Sequence, residues 1–245
     1  MDMTGAADRA RHQLRRPFSR TPFVWDLAML ARSEKRATLA RTGTALVMEG
    51  FLRSGNTFSA AAFVVSNGPE LHVGRHLHGA PHLLRAKRLG IPAVALIREP
   101  RGAVLSYLVR RDTLTPAAAL EEYVDFYRTA WRARDAFVVG LFDVVVRDFG
   151  AILDAVNTRF GTTFARYEPT PENEAATFSL VEEMNRRECG GALVESHVGR
   201  PSTARDAAKH ELTARLDAPS LRSRLAAAEH IHRSYAELAV ARQPT

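Results

Sequence analysis

The sequence predicts an α/β protein in three layers, a parallel sheet flanked by helices on both faces, with a helical C-terminal part. Three observations predict it. Between positions 45 and 97 short apolar runs alternate with helical patterns in the order β, α, β, α, β, and such alternation requires crossover connections that leave the strands parallel and the helices packed on the sheet. The first apolar run passes through a glycine-bounded loop directly into a helix, the local form of a nucleotide-binding α/β fold. Beyond about position 149 each periodic segment reads as helix.

In chain order, residues 22 to about 40 read as a helix started by Thr21-Pro22, with Trp25, Met29 and Leu30 on one face, and Gly43 ends it. Ala45 to Met48 is a buried-type strand. The glycines at 50 and 55 bound a loop, and Thr57 to Val65 continues as helix. A second strand is expected near Leu71 to Val73, a helix over Pro81 to Leu89, and a Val/Ile-rich strand over Ile91 to Ile97. Helices follow at about 101–111 and 116–136. A further strand is placed at Asp143 to Val146, after the Gly140 break. The last helices fall at about 149–160, 171–188, 204–215 and 219–240, with Pro171 and Pro219 near two of the starts. A basic arm and helix over 1–43 thus precede an α/β domain over 44–245.

Composition narrows the function classes. The chain has 245 residues, 46% hydrophobic and 25% charged, enough for a full core and far from the composition of disordered chains. No apolar run approaches the roughly 20 residues of a bilayer span. Cys189 is the one cysteine, which excludes an intrachain disulfide and a cysteine-rich zinc framework. The N-terminal arginines at 9, 11, 15, 16 and 20 are not followed by the apolar core of a secretory signal. The expectation is a cytoplasmic protein with an unreactive thiol. The net charge is +7, an attraction for phosphates, sulfates, anionic lipids or nucleic acid. Residues 1–43 hold nine Lys or Arg against four Asp or Glu, +5 of that total, which reads as a solvated basic tail leading into a surface helix, with weak contact of the arm with anionic surfaces as the alternative.

Gly50-Phe-Leu-Arg-Ser-Gly55-Asn-Thr57 has the frame of a phosphate loop, two glycines separated by four residues and a hydroxyl residue near the end. Backbone N–H groups converge on an anion where such a loop enters a helix. Arg53 adds a charge. Asn56 stands where a nucleoside-triphosphate enzyme carries the lysine that reaches the β- and γ-phosphates. A second basic segment, Arg98-Glu-Pro-Arg101, lies at the end of the Ile91 to Ile97 strand, with Ser106 eight residues after Arg98. Ligands of open α/β sheets bind outside the carboxyl ends of the strands. Two anion sites in one crevice imply a ligand with two separated anionic groups.

These stretches resemble the PAPS-dependent sulfotransferases, whose donor is 3′-phosphoadenosine 5′-phosphosulfate. Leu52-Arg-Ser-Gly-Asn-Thr-Phe58 is similar to that family's 5′-phosphosulfate loop, commonly written PKSGTTW, with Arg53 at the lysine and Phe58 at the tryptophan. Arg98 to Ser106 resembles its 3′-phosphate motif. His76-Leu77, 22 residues before Arg98, resembles its catalytic Thr-His-Leu segment, and Gly199 to Asp206 occupies the place of its C-terminal basic loop. The resemblance implies transfer of a sulfuryl group from PAPS to a hydroxyl, or an amine, of a small-molecule or glycan acceptor, with PAP released and neither metal nor nucleic acid required. It implies His76 as general base and Arg53 in catalysis. Donor binding falls to Arg53, Ser54, Gly55, Asn56, Thr57, Phe58, Arg98, Ser106, Arg200 and Arg205, with Phe58 able to stack on adenine.

Four histidines, 72, 76, 78 and 82, form a cluster in the sequence, but no carboxylate motif accompanies them as a metal site would require. His76 is preferred as base for its spacing to Arg98, with His78 in reserve. Two other functions share these residues: a P-loop phosphoryl transferase, which Asn56 opposes, and a non-enzymatic anion-binding adaptor docking through the basic arm.

Overall fold

The computed structural model describes residues 22–111, 113–192 and 203–241. Four parallel strands form one sheet: β1 (Leu46–Gly50), β2 (Val73–Arg75), β3 (Ala93–Ile97) and β4 (Val138–Leu141), in the spatial order β2-β1-β3-β4. The helices are α1 (Pro22–Leu30), α2 (Ser33–Arg36), α3 (Asn56–Asn67), α4 (Pro81–Leu89), α5 (Pro100–Arg110), α6 (Pro116–Ala130), α7 (Phe142–Arg147), α8 (Phe149–Phe160), α9 (Pro171–Glu188), α10 (Thr203–Leu216) and α11 (Arg222–Val240).

Every residue of β1 and β3 is buried, because successive side chains enter two different cores. Val47, Ala93, Ala95 and Ile97 point to the layer containing α4, α5, α6 and α11. Leu46, Met48, Val94 and Leu96 point to the layer containing α3 and α8. A sheet covered on both faces needs unbroken apolar strands, which is why these segments lack polar alternation. The starts of α5, α6 and α9 combine a proline in the first turn with a side-chain cap: Glu99, Thr115 and Thr170 accept from the amides of Gly102, Ala118 and Asn173. Among the described residues no helix is long and apolar enough to cross a membrane.

Two expectations are corrected. The fourth strand is Val138–Leu141, and the expected strand at 143–146 is the helix α7. Gly140 belongs inside that strand, since a Cβ there would lie 2.8 Å from the Leu96 side chain of the adjoining β3; the close approach of two strands requires the glycine that reads as a break. The helix expected over 22–40 ends at Leu30, and a separate short turn follows at Ser33–Arg36. Trp25 is buried, whereas Leu30 is exposed. Beyond it the chain supplies no apolar stripe to hold a longer helix against the core.

The strand order fixes where a ligand crevice lies. From β1 the chain moves outward to β2, then returns past β1 to β3 on the other side, so the direction of winding reverses between β1 and β3. At such a point the loops leaving the two strands part to opposite faces and leave a cleft at their carboxyl ends. The loop after β1 is residues 51–55, and the turn after β3 begins at Arg98. Gly50 closes β1 opposite Leu96. A methyl group there would be driven into the Leu96 carbonyl, with the Leu96 Cβ 2.9 Å away. Gly50→Ala is therefore expected to lower the stability of the folded chain by about 1–3 kcal/mol, read as a shift of the urea unfolding midpoint at unchanged slope.

Candidate functional site

The loop after β1 is held from beneath by one phenol. Tyr127 of α6, fully buried, donates to the Leu96 carbonyl at 2.8 Å and accepts from the Phe51 amide at 3.3 Å. Its remaining lone pair faces the Ser54 hydroxyl at 3.2 Å, so Ser54 is the donor there. The Ser54 side chain thus points into the protein. Asn56 also turns inward, its amide donating to the Phe51 carbonyl at 3.0 Å. Arg53 and Gly55 take left-handed backbone, φ 68° and 91°, a conformation in which a β-carbon is strained and which suits Gly55. The chain then enters α3, where the amides of Asn56, Thr57 and Phe58 have no carbonyl of their own helix to reach. Main-chain amides at such a helix start are oriented to receive an anion.

The second predicted segment meets the first directly. Arg53 Nε donates to Ser106 Oγ at 2.9 Å, across 53 residues of sequence, and the Ser106 hydroxyl keeps its proton for a further acceptor. Arg98 stacks its guanidinium on the Phe142 ring at 4.1 Å. A β-carbon at Gly55 would touch the same ring at 3.5 Å. Phe142 therefore places the loop glycine and the strand-end arginine on one aromatic surface. The Arg98 carbonyl accepts from Tyr123 at 2.7 Å, and Glu99 caps α5 through Gly102. Phe58 lies in the apolar layer, edge-on to Tyr167 and tilted against Phe178, a core position and not an open platform for a base. Arg200 and the side chain of Arg205 lie outside the described residues.

The histidine cluster divides. His72 donates from Nε2 to the Ala37 carbonyl at 2.9 Å and accepts at Nδ1 from Thr44 at 2.8 Å. His82 accepts at Nε2 from the Ala40 amide and donates from Nδ1 to Glu49, both at 2.9 Å. Both rings are fully used as structure. His76 and His78 occupy the turn after β2 with left-handed φ of 57° and 48°. That turn is clamped by Glu49, a fully buried carboxylate of β1 that accepts from the amides of Leu77 at 2.9 Å and His78 at 3.1 Å as well as from His82. Three N–H donors make a buried carboxylate tolerable. Among the described residues no three His, Cys, Asp or Glu side chains are grouped to hold a metal ion.

His78 lines a cavity of about 650 Å³ that also meets Phe51 and Leu52 of the loop, Tyr107 beside Ser106, and Lys35 and Arg110. Volume and mixed lining match those of sites for small organic molecules. His76 has Nδ1 facing Arg75 Nη1 at 2.9 Å. Burial holds both imidazoles below the ordinary histidine range, His76 the further, with His78, Arg75, Lys35 and Arg110 adding to the effect on it. For His78 the Glu49 carboxylate opposes burial without overcoming it.

A comparison with models of known protein families finds none that matches the chain, and a search of curated proteins finds no significant match.

Sequence reading missed Tyr127, Glu49, Phe142 and Arg75. Glu49 carried a signal, a charged residue inside an otherwise apolar strand; the others carried none. The two buried imidazoles have a measurable consequence. Below their unperturbed pKa of 6.5 the unfolded chain takes up protons that the native rings refuse, so stability falls as pH falls from about 6.5 toward the depressed native values. The slope is up to about 1.4 kcal/mol per pH unit for each ring. Urea unfolding between about pH 7.5 and about pH 5 should show it, and the double variant His76→Asn/His78→Asn, whose residues tolerate left-handed backbone, should flatten it.

Proposed function

We propose that the protein is a sulfotransferase that moves a sulfuryl group from PAPS to a hydroxyl of a small-molecule or glycan acceptor and releases PAP. The contact between Arg53 and Ser106 carries this reading, because it joins the segment resembling a 5′-phosphosulfate loop to the segment resembling a 3′-phosphate motif. The residues fit such a donor. The first-turn amides of α3 and Arg53 suit its sulfated end, and Arg98 with the Ser106 hydroxyl suits the phosphate at the other. Asn56 is bonded inside the loop and supplies no charge to a triphosphate, which favours PAPS over ATP.

PAPS supplies an already activated sulfuryl group. The chain holds the two ends in fixed positions, which removes orientational freedom from the reaction. Loop amides and Arg53 offset the negative charge that gathers on the bridging oxygen as its bond to sulfur breaks. The acceptor oxygen forms the new bond to sulfur from the cavity, and its proton passes to an imidazole. His78 suits this role, since it borders the cavity and burial keeps it neutral at pH 7. His76, preferred from spacing, has Nδ1 engaged by Arg75.

Calorimetry on the full chain is expected to give tight binding of PAP and weak binding of Mg-ATP. Arg53→Ala and Arg98→Ala should each lower PAP affinity by roughly 10- to 100-fold. His78→Ala should leave PAP affinity within about twofold and lower turnover by about 10²–10⁴. Tight Mg-ATP binding with no response to PAP would sink the assignment. The base must be neutral to act, so the acid limb of the kcat/KM profile is expected below the ordinary histidine value of 6.5 and should disappear in His78→Ala.

A further inference from the structure

Arg75 ends β2 with its side chain largely buried, and among the described residues it has no carboxylate. Nη1 donates to His76 Nδ1 at 2.9 Å and to the Met184 sulfur at 3.8 Å. Neither partner is negative. A buried guanidinium without a counter-charge is costly, and burial together with the nearby charge of Arg187 pulls the Arg75 pKa down. The acids of this region are bonded elsewhere: Glu183 to Arg187, Glu188 to Arg110 at 2.5 Å, and Glu49 to Leu77, His78 and His82.

The contact also fixes the state of His76. An arginine N–H can only donate, so His76 Nδ1 must offer its lone pair, and the single proton of the neutral ring sits on Nε2. Among the described residues the buried Nε2 has no hydrogen-bond partner. An unanswered N–H stands on one side of the ring and an uncompensated cation on the other. Both lack the same thing, an anion that accepts hydrogen bonds. The arrangement lies at the carboxyl edge of the sheet, where Arg75 pairs in register with Met48, two residues before the loop glycine at 50.

We infer that His76 is a hydrogen-bond donor to an oxyanion through Nε2–H, and that Arg75 is a positioning residue which locks that tautomer and polarises the ring toward the anion. A chain of aligned donors, guanidinium to imidazole to oxyanion, strengthens each link. This inference rests on the sulfotransferase reading for the identity of the occupant, a tetrahedral sulfate-like group that is either the sulfuryl end of the donor or an anionic substituent of the acceptor. It assigns to His76 the role opposite to that of a base and leaves proton removal to His78.

The test is long-range ¹H–¹⁵N NMR of the full chain with labelled histidine, His76 being assigned by its loss in His76→Phe. At neutral pH the wild-type ring is expected as the Nε2–H tautomer, and its Nε2 signal should shift and saturate as sodium sulfate replaces chloride at constant ionic strength. Arg75→Met should mix the tautomers and weaken that response by about tenfold, with Arg75→Lys restoring much of it; unchanged thermal unfolding identifies folded variants. A wild-type Nδ1–H tautomer, a His76 signal indifferent to sulfate, or an Arg75→Met protein with the wild-type tautomer and response would each overturn the inference. The first two need no variant. If the sulfuryl group is the occupant, Arg75→Met weakens PAPS but not PAP. If an acceptor anion is, both nucleotides bind as before and sulfate still shifts His76 in protein saturated with PAPS, whose sulfuryl group would otherwise fill the position. A sulfate response in a chain that binds neither nucleotide supports the receptor while removing the sulfotransferase reading.

Discussion

The hydroxyl of Tyr127 has one proton and two lone pairs, and all three are used: on the Leu96 carbonyl of β3, the Phe51 amide and the Ser54 hydroxyl. These groups come from the two sides of the crevice. A single buried atom therefore sets the height of the loop against the end of the neighbouring strand. The phenol is itself held, because Tyr235 of α11 donates to the Tyr127 carbonyl at 2.9 Å and the rings of Tyr123, Phe126 and Tyr235 pack around it. With Ser54 and Asn56 turned inward, the loop shows a ligand mainly its backbone and Arg53. Helices far along the chain thus determine the geometry of a loop near its beginning.

A second buried group does the same for the histidine turn. Glu49 lies two residues before the loop, and its two oxygens hold the successive amides of Leu77 and His78 together with the His82 ring. Left-handed backbone at two consecutive alternate residues that are not glycine costs on the order of 1–2 kcal/mol each. The carboxylate offsets it by accepting bonds that only this shape of turn can donate. The loop follows β1 and the histidine turn follows β2, and the Glu49 carboxylate at the end of β1 ties the second turn to the base of the first.

The sequence carried the layered fold because its local signals and its packing agree. Pro100, Pro116 and Pro171 start helices, the Ala93–Ile97 run is apolar because both its faces are covered, and Arg53 and Arg98 fall just past the ends of β1 and β3, where the winding reverses. The errors have the opposite cause. Val144, Val145 and Val146 have strand character but lie in α7, and Gly140 has turn character but lies in β4; at Gly140 the close approach of Leu96, 44 residues away, overrides local preference. Spacing alone selected His76, and nothing along the chain reveals that Arg75 occupies its Nδ1. Tyr127 and Phe142 act across 73 and 44 residues, on Ser54 and Arg98, distances at which a single sequence is silent.

The two outer strands are the shortest in the sheet, three residues in β2 and four in β4. A margin of about 10–14 Å leaves few unpaired main-chain groups along each border, too few to seed pairing with the sheet of another molecule. With its longer strands in the middle, the sheet presents short borders on both sides, while the interior strands β1 and β3 lead into the loop and the turn at their carboxyl ends.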